Sequence, residues 1–462
     1  MNRLLRTTLS RWKAWNKRSV NRRIFAALLT VGSFAALGKV VSAAKDIVVA
    51  HDFGASDTLD AFLIAYMLPE FAFMVLAGAL NAALIPTLIE VREHEGREAA
   101  QRLLWSVTAW SAIILATVSV GLALSASYVL PIVAHGFSTE KLTLTLSLFY
   151  FLIPVVVVEG VAILWAAVLN SGERFALAAL TPLIIPSMTI ISILVMRGSW
   201  GIYSLASGVV FGCVLEMALV GWGVSRQGFS LIPRWYGRWY RLNAATRQVV
   251  RQYVPLVAGQ FLASGSLLVD QSIATTLGSG SVSALSYGNK IVAVLMGVGS
   301  IALGTAALPY FAKMVAAHDW SGVRNTLKTY GRLILLATIP LTLILVYLSE
   351  PLVRLLFQRG AFTAEDTILV SQVQIFYLLQ IPIYMLAILV VRLISSLRAN
   401  NLLMWGALGS FSLNLVLDYV FSLFWGVTGI ALATTVVHTV TLCYLSYALL
   451  RLMRSRETHV PE

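Results

Sequence analysis

Long apolar stretches dominate this chain, and charged or turn-forming residues separate them. Twelve such stretches lie at roughly residues 24–50, 59–91, 103–131, 146–170, 175–196, 202–224, 253–277, 282–312, 332–349, 369–391, 401–423 and 427–450. A helix of about 20 apolar residues crosses a bilayer, and most of these stretches reach that length. The pattern therefore predicts an all-α integral membrane protein with about twelve transmembrane helices.

The composition excludes several other classes of protein. Of the 462 residues, 58% are hydrophobic and 12% are charged, whereas a soluble domain has about 45–50% apolar and about 25% charged residues. A soluble enzyme, a disordered chain and a secreted disulfide scaffold are thereby excluded. Cys213 and Cys443 both lie in apolar runs, so we expect no disulfide bond.

The distribution of basic residues predicts the orientation of the chain in the membrane. Loops on the side of the two termini hold 27 Lys and Arg residues, and the opposite loops hold only Lys141, Arg197, Arg354 and Arg359. By the positive-inside rule, both termini are expected in the cytoplasm. This asymmetry accounts for the net charge of +13, so we expect no nucleic-acid partner.

Landmark residues recur about 225 positions apart, which indicates an internal duplication. The matching pairs are Gly54 and Gly278, Pro86 and Pro309, Ser171 and Ser396, and Gly201 and Gly426. The duplication predicts an N-lobe of helices 1–6 (24–224) and a C-lobe of helices 7–12 (253–450). A basic cytoplasmic segment (1–23), an amphipathic cytoplasmic linker (225–252) and a cytoplasmic tail (451–462) complete the chain. Two parallel six-helix lobes are a transporter architecture.

Three lysines lie within the predicted spans, namely Lys39 and Lys45 in the first and Lys290 in the eighth. A charge in a span is expensive and normally faces a cavity or a partner. Asp46 is merely adjacent to Lys45, so we expect the partners to come from other helices or from a ligand. One interpretation is that the lysines converge on a cleft and bind an anion such as a diphosphate. The other is that they snorkel or form structural pairs with carboxylates such as Glu159, Glu216 or Asp270.

Acidic residues within the spans are candidates for a gate or for ion coupling. They are Asp46, Glu70, Glu216, Asp270 and Asp418. Glu70 follows Pro69, and a proline inside a helix frees a backbone carbonyl. Asp60 is expected instead to serve the first turn of the second helix, where a carboxylate is favourable.

The sequence contains no pattern typical of an enzyme or a metal site. It has no His/Cys cluster, no G-x-S-x-G elbow and no Walker loop. We therefore expect a transporter without a cofactor, driven by a coupling ion (H⁺ or Na⁺) or by the membrane potential. Glu365 and Asp366 in the loop at 350–368 could act in glycosyl chemistry, but we expect them to cap the tenth helix.

Three stretches resemble the MurJ/MviN family of the multidrug/oligosaccharidyl-lipid/polysaccharide (MOP) exporter superfamily. The first motif comprises Phe53-Gly54-Ala55, Asp60-Ala61-Phe62, Leu68-Pro69 and the run at 78–86. The second comprises the run at 279–283, Tyr287, the run at 302–305 and Pro309. The third comprises the run at 356–363 and Asp366-Thr367. The resemblance covers nearly the whole chain. It implies a flippase of the bacterial inner membrane that moves a polyprenyl-diphosphate-linked saccharide from the inner to the outer leaflet by alternating access. Glycan-assembly proteins are candidate partners.

The resemblance also suggests which residues bind the substrate. The family's first-helix arginines correspond to Lys39 and Lys45, and its eighth-helix arginine corresponds to Lys290, so these lysines would hold the diphosphate. Lysine keeps the charge but lacks the bidentate fork of arginine. Glu70 stands where the family usually has asparagine, and the peptidoglycan flippases carry two further C-terminal helices. Peptidoglycan lipid II and an exopolysaccharide repeat unit therefore both stay open as substrates.

Two other functions stay open from the sequence. A cation-coupled exporter of small molecules, built on the same superfamily fold, would have a cleft dominated by carboxylates and aromatic residues. A membrane-embedded enzyme or scaffold of glycan assembly would show a large periplasmic loop, and the sequence contains none.

Overall fold

A computed structural model describes residues 20–171, 175–196, 198–231 and 244–457, and these fold into fourteen helices. The helices are α1 (Val20–Phe53), α2 (Asp57–His94), α3 (Arg97–Val133), α4 (Thr139–Leu152), α5 (Val155–Ser171), α6 (Phe175–Met196), α7 (Tyr203–Arg226), α8 (Ala244–Ala274), α9 (Ser281–Ala316), α10 (Trp320–Tyr347), α11 (Ser349–Phe357), α12 (Ala364–Leu378), α13 (Gln380–Ser396) and α14 (Asn400–Glu457). None of the described residues lies in a strand.

Most helices overlap the predicted spans. Helix α11 lies almost entirely in the stretch predicted as a loop at 350–368, and the tenth predicted span contains parts of both α12 and α13. Within the described ranges, eight helical segments are long and apolar enough to cross a membrane, or nine when α4 and α5, bent by 42° at a short break, count as one. Helix α14 runs through the last two predicted spans, with non-helical geometry at Gly426 (φ 58°) between them. The predicted all-helical membrane fold is confirmed.

Parts of three predicted segments lie outside the described residues. These are residues 1–19 of the basic N-terminal segment, residues 232–243 of the predicted linker, and residues 458–462 of the tail. The cytoplasmic placement of these segments stays a prediction.

Contacts divide the chain into two units. The first unit comprises the described residues up to 48, with 72–122 and 151–257, and the second comprises 49–71, 123–150 and the residues from 258 onward. Two segments from the first half of the chain therefore fold with its second half. The lobes at 24–224 and 253–450 stay a prediction from the sequence repeat.

Small residues allow close packing between α6 and α7 in the first unit. A Cβ added at Gly208 would lie 2.5 Å from the Cα atom of Thr189, and one at Gly212 would lie 2.8 Å from the Cα atom of Ile185. Two glycines four residues apart let two helix backbones approach directly. Because lipid tails are as apolar as leucine, such close packing contributes more to helix association in a membrane than does exclusion from water.

Candidate functional site

Asp60 lies at the centre of a polar network in the second unit. It belongs to the first turn of α2, as expected, and its side chain is fully buried. One carboxylate oxygen accepts the backbone N–H of Gly280 at 2.9 Å, and the other accepts the backbone N–H of Ser283 at 2.8 Å. The Ser283 hydroxyl also donates to it. The carboxylate therefore contacts the start of α9 rather than its own helix.

The local sequence explains why α9 needs this partner. The first N–H groups of any helix have no acceptor within the helix, and the helix dipole makes this end positive. Helix α9 begins after Gly280, which has a φ of 77° and no side chain to act as a cap. Asp60 supplies the missing cap from α2, with charge-assisted hydrogen bonds.

Lys141 connects a third segment to the same carboxylate. Its ammonium nitrogen lies 3.0 Å from the Oδ2 atom of Asp60 and 2.6 Å from the Oδ1 atom of Asp57, and 4.0 Å from the ring centroid of Phe137. The lysine side chain is only 10% exposed, whereas that of Asp57 is 58% exposed. Lys141 therefore ties α4 to α2 and, through Asp60, to α9.

The third family motif packs against the first one. The backbone N–H of Ala361 donates to the carbonyl of His51 at 2.8 Å. Gly54 has a φ of 60°, and a Cβ atom at this position would lie 2.5 Å from the carbonyl oxygen of Ala361. Glycine is required here both for its positive φ and for the close approach of the two backbones.

Aromatic side chains join the second motif to the third. The ring of Tyr287 lies 5.1 Å from that of Phe357 and 5.4 Å from that of Phe362, which are ordinary distances for paired aromatic rings. The Tyr287 hydroxyl donates to the carbonyl of Gly54 at 3.5 Å. The three motifs that suggested the family thus meet at one place.

We call this assembly the extracytoplasmic network, after its predicted side of the membrane. It consists of His51, Gly54, Asp57, Asp60, Lys141, Gly280, Ser283, Tyr287, Phe357, Ala361 and Phe362. Within the second unit it fastens segments 49–71 and 123–150 to the second half of the chain. Just beyond it, Thr363 and Asp366 form a reciprocal capping box at the start of α12, which confirms the capping role expected for Asp366.

Two predicted ion-coupling residues meet deeper in the second unit. Asp270 on α8 and Asp418 on α14 have their carboxyl groups against each other. Asn414, one turn before Asp418 on α14, donates its side-chain amide to the Oδ1 atom of Asp270 at 3.2 Å. Asp418 is fully buried and Asp270 is 8% exposed. We call Asp270, Asn414 and Asp418 the intramembrane cluster.

Several oxygen atoms of the intramembrane cluster have no partner. Within the described part of the chain, the side chain of Asn414 lies near Asp418, but neither oxygen of Asp418 nor the Oδ1 atom of Asn414 accepts a hydrogen bond of normal length and angle. Tyr377, which hydrogen-bonds with Thr434, borders the two aspartates. Buried polar atoms are normally satisfied, and oxygen-only donor sets suit hard cations. The arrangement can therefore hold a small cation between the carboxyl groups.

The sequence identified only part of this cluster. Asp270 and Asp418 were expected to be functional because charges in spans are costly, whereas Asn414 was missed because asparagine carries no charge. The spacing of Asn414 and Asp418, four residues apart in one predicted span, was the available signal, since such residues share a helix face.

The lysines predicted to bind an anion fall in both units. Lys39 on α1 is exposed, and the ammonium nitrogen of Lys45 lies 2.9 Å from the Oδ1 atom of Asp46. The expectation that Lys45 has no intrahelical partner is therefore wrong, because its flexible four-carbon stem reaches the adjacent residue. Lys290 is half-buried on α9 in the second unit. Diphosphate binding by the three lysines stays a prediction.

The other two candidate acidic residues also differ in their surroundings. Glu70 is half-buried on α2, and the division between the two units falls two residues further, between Phe71 and Ala72. Glu216 is only 8% exposed on α7 and faces Glu159 of α5. The gating role of Glu70 and the ion-coupling role of Glu216 both stay predictions.

Comparison with known proteins gives a family for the chain's sequence. A family model described as lipid II flippase MurJ matches residues 49–459. The lipid II flippase MurJ of Burkholderia cenocepacia is 28% identical over 360 residues, which cover 76% of this chain and 69% of that protein. A probable lipid II flippase MurJ of Synechocystis sp. is 26% identical over 423 residues, which cover 86% and 76%.

Solved structures show the same fold. A structure described as lipid II flippase MurJ in an inward closed conformation has a TM-score of 0.78 at 22% identity and covers 94% of both chains. An inward-facing multidrug resistance MATE family transporter of the MOP superfamily has a TM-score of 0.72 at 12% identity, covering 94% of this chain and 99% of that one. These likenesses confirm the superfamily fold that the sequence motifs predicted.

Proposed function

This chain belongs to the lipid II flippase MurJ family, and on that basis we propose that it moves lipid II, a polyprenyl-diphosphate-linked saccharide, from the inner to the outer leaflet of the bacterial inner membrane. The observation that carries the proposal is the family match, which extends over nearly all of the predicted spans. The chain works as a transporter rather than as an enzyme, with both termini in the cytoplasm.

The extracytoplasmic network supports an alternating-access mechanism. It joins segments from the two halves of the chain through hydrogen bonds, one buried ion pair and a small aromatic cluster. Release of a headgroup on that side requires these segments to separate. The donors and acceptors of the network are polar groups that water can hydrate once the segments part, so the closure is reversible.

Complementation tests the proposed substrate. The native lipid II flippase of a tractable bacterium is depleted, and this chain or its Asp60→Ala variant is expressed at matched membrane levels. Growth with the wild-type chain, and none with the variant, supports lipid II transport. Failure of the wild-type chain at normal expression overturns it.

An exopolysaccharide repeat unit is the second candidate substrate. Lysines stand at the positions of the family's cavity arginines, and a lysine binds phosphate as a point charge without fixing its orientation. In proteoliposomes, faster translocation of a polyprenyl-diphosphate-linked exopolysaccharide unit than of lipid II would favour this alternative.

Lys39, Lys45 and Lys290 are the residues that we propose to hold the diphosphate. Their positive charge within predicted spans supports this role, and Asp46 beside Lys45 would compete with the substrate for that ammonium. Each lysine is changed to alanine, with exposed Lys328 of α10 as the control. Full transport by the Lys39→Ala and Lys45→Ala variants, expressed normally, would show that the assignment is wrong.

The intramembrane cluster is the proposed site of the coupling ion. Its oxygen atoms fit Na⁺ in donor type, since Asp418 and Asn414 offer carboxylate and amide oxygens that accept no hydrogen bond from the described residues, and Asp270, which accepts the Asn414 amide, offers a further carboxylate. Bound there, Na⁺ would supply the positive charge that two adjacent carboxylates lack. Binding of radioactive sodium to the purified protein, abolished in Asp418→Asn, tests the assignment. A wild-type protein that binds no sodium would overturn the assignment and leave the proton or the membrane potential as the driving force.

A further inference from the structure

A second pair of buried carboxyl groups lies in the first unit, away from the intramembrane cluster. Glu159 on α5 and Glu216 on α7 are each only 8% exposed, and their carboxyl groups face each other. Cys213, one turn before Glu216 on α7, contacts the Glu159 carboxyl group. Thr181 on α6 hydrogen-bonds with Glu216. Three helices thus contribute polar side chains to one point inside the unit.

No cationic side chain of the described residues lies against this pair. In that part of the chain no ion pair includes either glutamate, and the Oε2 atom of Glu159 has no hydrogen-bond partner. Helix α3 packs against α5 with the apolar side chains of Leu115 and Val118.

The remaining neighbours do not supply a charge either. Helix α1 approaches α6 where Gly38 meets Pro182. The charged side chains of α1 near this point are the exposed Lys39 and the paired Lys45 and Asp46. Among the residues that the structure describes, the polar side chains that interact with the glutamates are thus the thiol of Cys213 and the hydroxyl of Thr181.

Two neighbouring carboxylates buried inside a membrane protein repel each other, and this repulsion adds to the cost of desolvation, which favours binding of a proton where no counter-ion is present. We propose that Glu159 and Glu216 form a proton-binding site, in which the two carboxyl groups hold one proton between them. Such a pair titrates as a unit, so the proton belongs to both residues. When the site releases the proton, the acid O–H bond breaks and water accepts the proton.

The proton path that belongs to this proposal leads through a cavity beside Thr181. It has a volume of about 290 Å³, lies between α6 and α7, and is lined mainly by apolar side chains together with Thr181 and Ser187. Thr181 contacts both the cavity and Glu216. Pro182 and Pro186 lie in the same part of α6, and proline leaves a backbone carbonyl without its helical donor. Water entering this cavity would find several acceptors beside the pair.

This site differs from the intramembrane cluster in its chemistry. The intramembrane cluster has the amide of Asn414 and several vacant oxygens, whereas the glutamate pair has a thiol and a hydroxyl as neighbours. Proton binding by the pair stands on its own geometry. Its coupling to lipid transport rests on the proposed function.

Infrared spectroscopy of the purified protein in nanodiscs, titrated with pH in H₂O and D₂O, tests the site. We expect a band of a buried protonated carboxyl group that is lost at high pH. It should be absent from the Glu159→Gln/Glu216→Gln double variant and retained in the matched Asp270→Asn/Asp418→Asn double variant. Glutamine and asparagine have nearly the same shape as glutamic and aspartic acid, so we expect both double variants to keep the packing.

The S–H stretching band of Cys213 provides a second measurement, in which neither glutamate is substituted. In a Cys443→Ser background, Cys213 is the remaining cysteine, and we expect its S–H stretching band to shift in the same pH range. A band pattern identical in wild type and the glutamine double variant, or an S–H band insensitive to pH, would overturn the proposal. A spectrum that responds to Na⁺ instead of pH would also overturn it in favour of a cation site.

A transport assay tests whether proton binding by the glutamate pair is coupled to lipid movement. In proteoliposomes, a pH gradient should accelerate lipid II translocation by the wild-type chain and leave the glutamine double variant unaffected. If the wild-type chain moves no lipid II, the proposed function fails, while the infrared titration still reports on the proton site. Equal acceleration of both proteins would overturn the coupling.

Discussion

Asp60 and Asp418 are both fully buried aspartates of the second unit, yet their surroundings are opposite. Asp60 accepts hydrogen bonds from the start of α9 and pairs with Lys141. Neither oxygen of Asp418 accepts a hydrogen bond of normal geometry from the described residues, and another carboxyl group, that of Asp270, lies against it. A satisfied charge holds protein segments together, whereas an unsatisfied one marks a place for a ligand.

The energies behind this difference are large. Taking a carboxylate out of water costs several kcal/mol even after the protein relaxes. At Asp60, the dipole of α9, three donors and an ammonium group offset that cost. At Asp418 the described residues include no ammonium group or helix start of this kind, and for this reason we propose that a bound cation offsets the cost.

Removal of the Asp60 carboxylate should have the largest effect. Asp60→Ala leaves the first N–H groups of α9 without their acceptor and Lys141 without its buried partner, and breaking a buried ion pair costs about 3–5 kcal/mol. We expect a clear drop of the thermal unfolding midpoint in detergent and loss of complementation. Asp60→Asn should restore only part of the stability. A variant as stable as wild type would show that the network does not fasten the segments.

Neutralising Asp418 should change the stability of the protein in the opposite direction, by increasing it when sodium is absent. Without sodium, the wild type must either protonate one of the two buried carboxyl groups or bear their repulsion, and Asp418→Asn removes that cost, so the variant should be more stable than wild type. A ligand at 100 times its dissociation constant stabilises a protein by about 2.7 kcal/mol, and the variant should lose this sodium-dependent gain. Unfolding midpoints measured with NaCl and with KCl at equal ionic strength check both parts. A variant that still gains stability from sodium would place the ion elsewhere.

A cap near the network calibrates the contribution of Asp60. Thr363 and Asp366 cap α12 reciprocally in a largely exposed position, with N···O distances of 2.8 and 3.1 Å. Loss of a helix cap of this kind costs about 1 kcal/mol, so Thr363→Ala should destabilise the protein less than Asp60→Ala does. Parallel thermal unfolding of the two variants measures the ratio. Equal losses would mean that burial adds nothing at Asp60.

Removal of the Asp57 carboxylate should have the smallest effect on stability. It shares Lys141 with Asp60, but its side chain is 58% exposed, and exposed ion pairs contribute about 0–1 kcal/mol. Asp57→Ala should leave the unfolding midpoint and complementation close to those of wild type. A loss as large as that of Asp60→Ala would show that Lys141 depends on both carboxylates for its position.

Several features of the fold and of the site follow from local sequence. The apolar runs predicted most of the helices, and the acidic residues Glu365 and Asp366 predicted a cap for the tenth helix, because both signals act over a few neighbouring residues. The pairing of Thr363 with Asp366 was visible only in the structure. The cost of a charge in a membrane singled out Asp270 and Asp418. The pairing of Lys45 with Asp46 was missed, because helix geometry alone places adjacent side chains apart.

What the sequence by itself determined is therefore the class of the protein, its helices, its family and the list of costly intramembrane charges. Each of these depends on composition, periodicity or short motifs. Only the tertiary structure decided which charges are satisfied, since this depends on contacts between residues far apart in the chain. Asp60 reaches α9 across 220 residues, and Asn414 reaches Asp270 across 144. The same packing separates Asp60, whose carboxylate is satisfied by several donors, from Asp418, which we propose as part of a cation site.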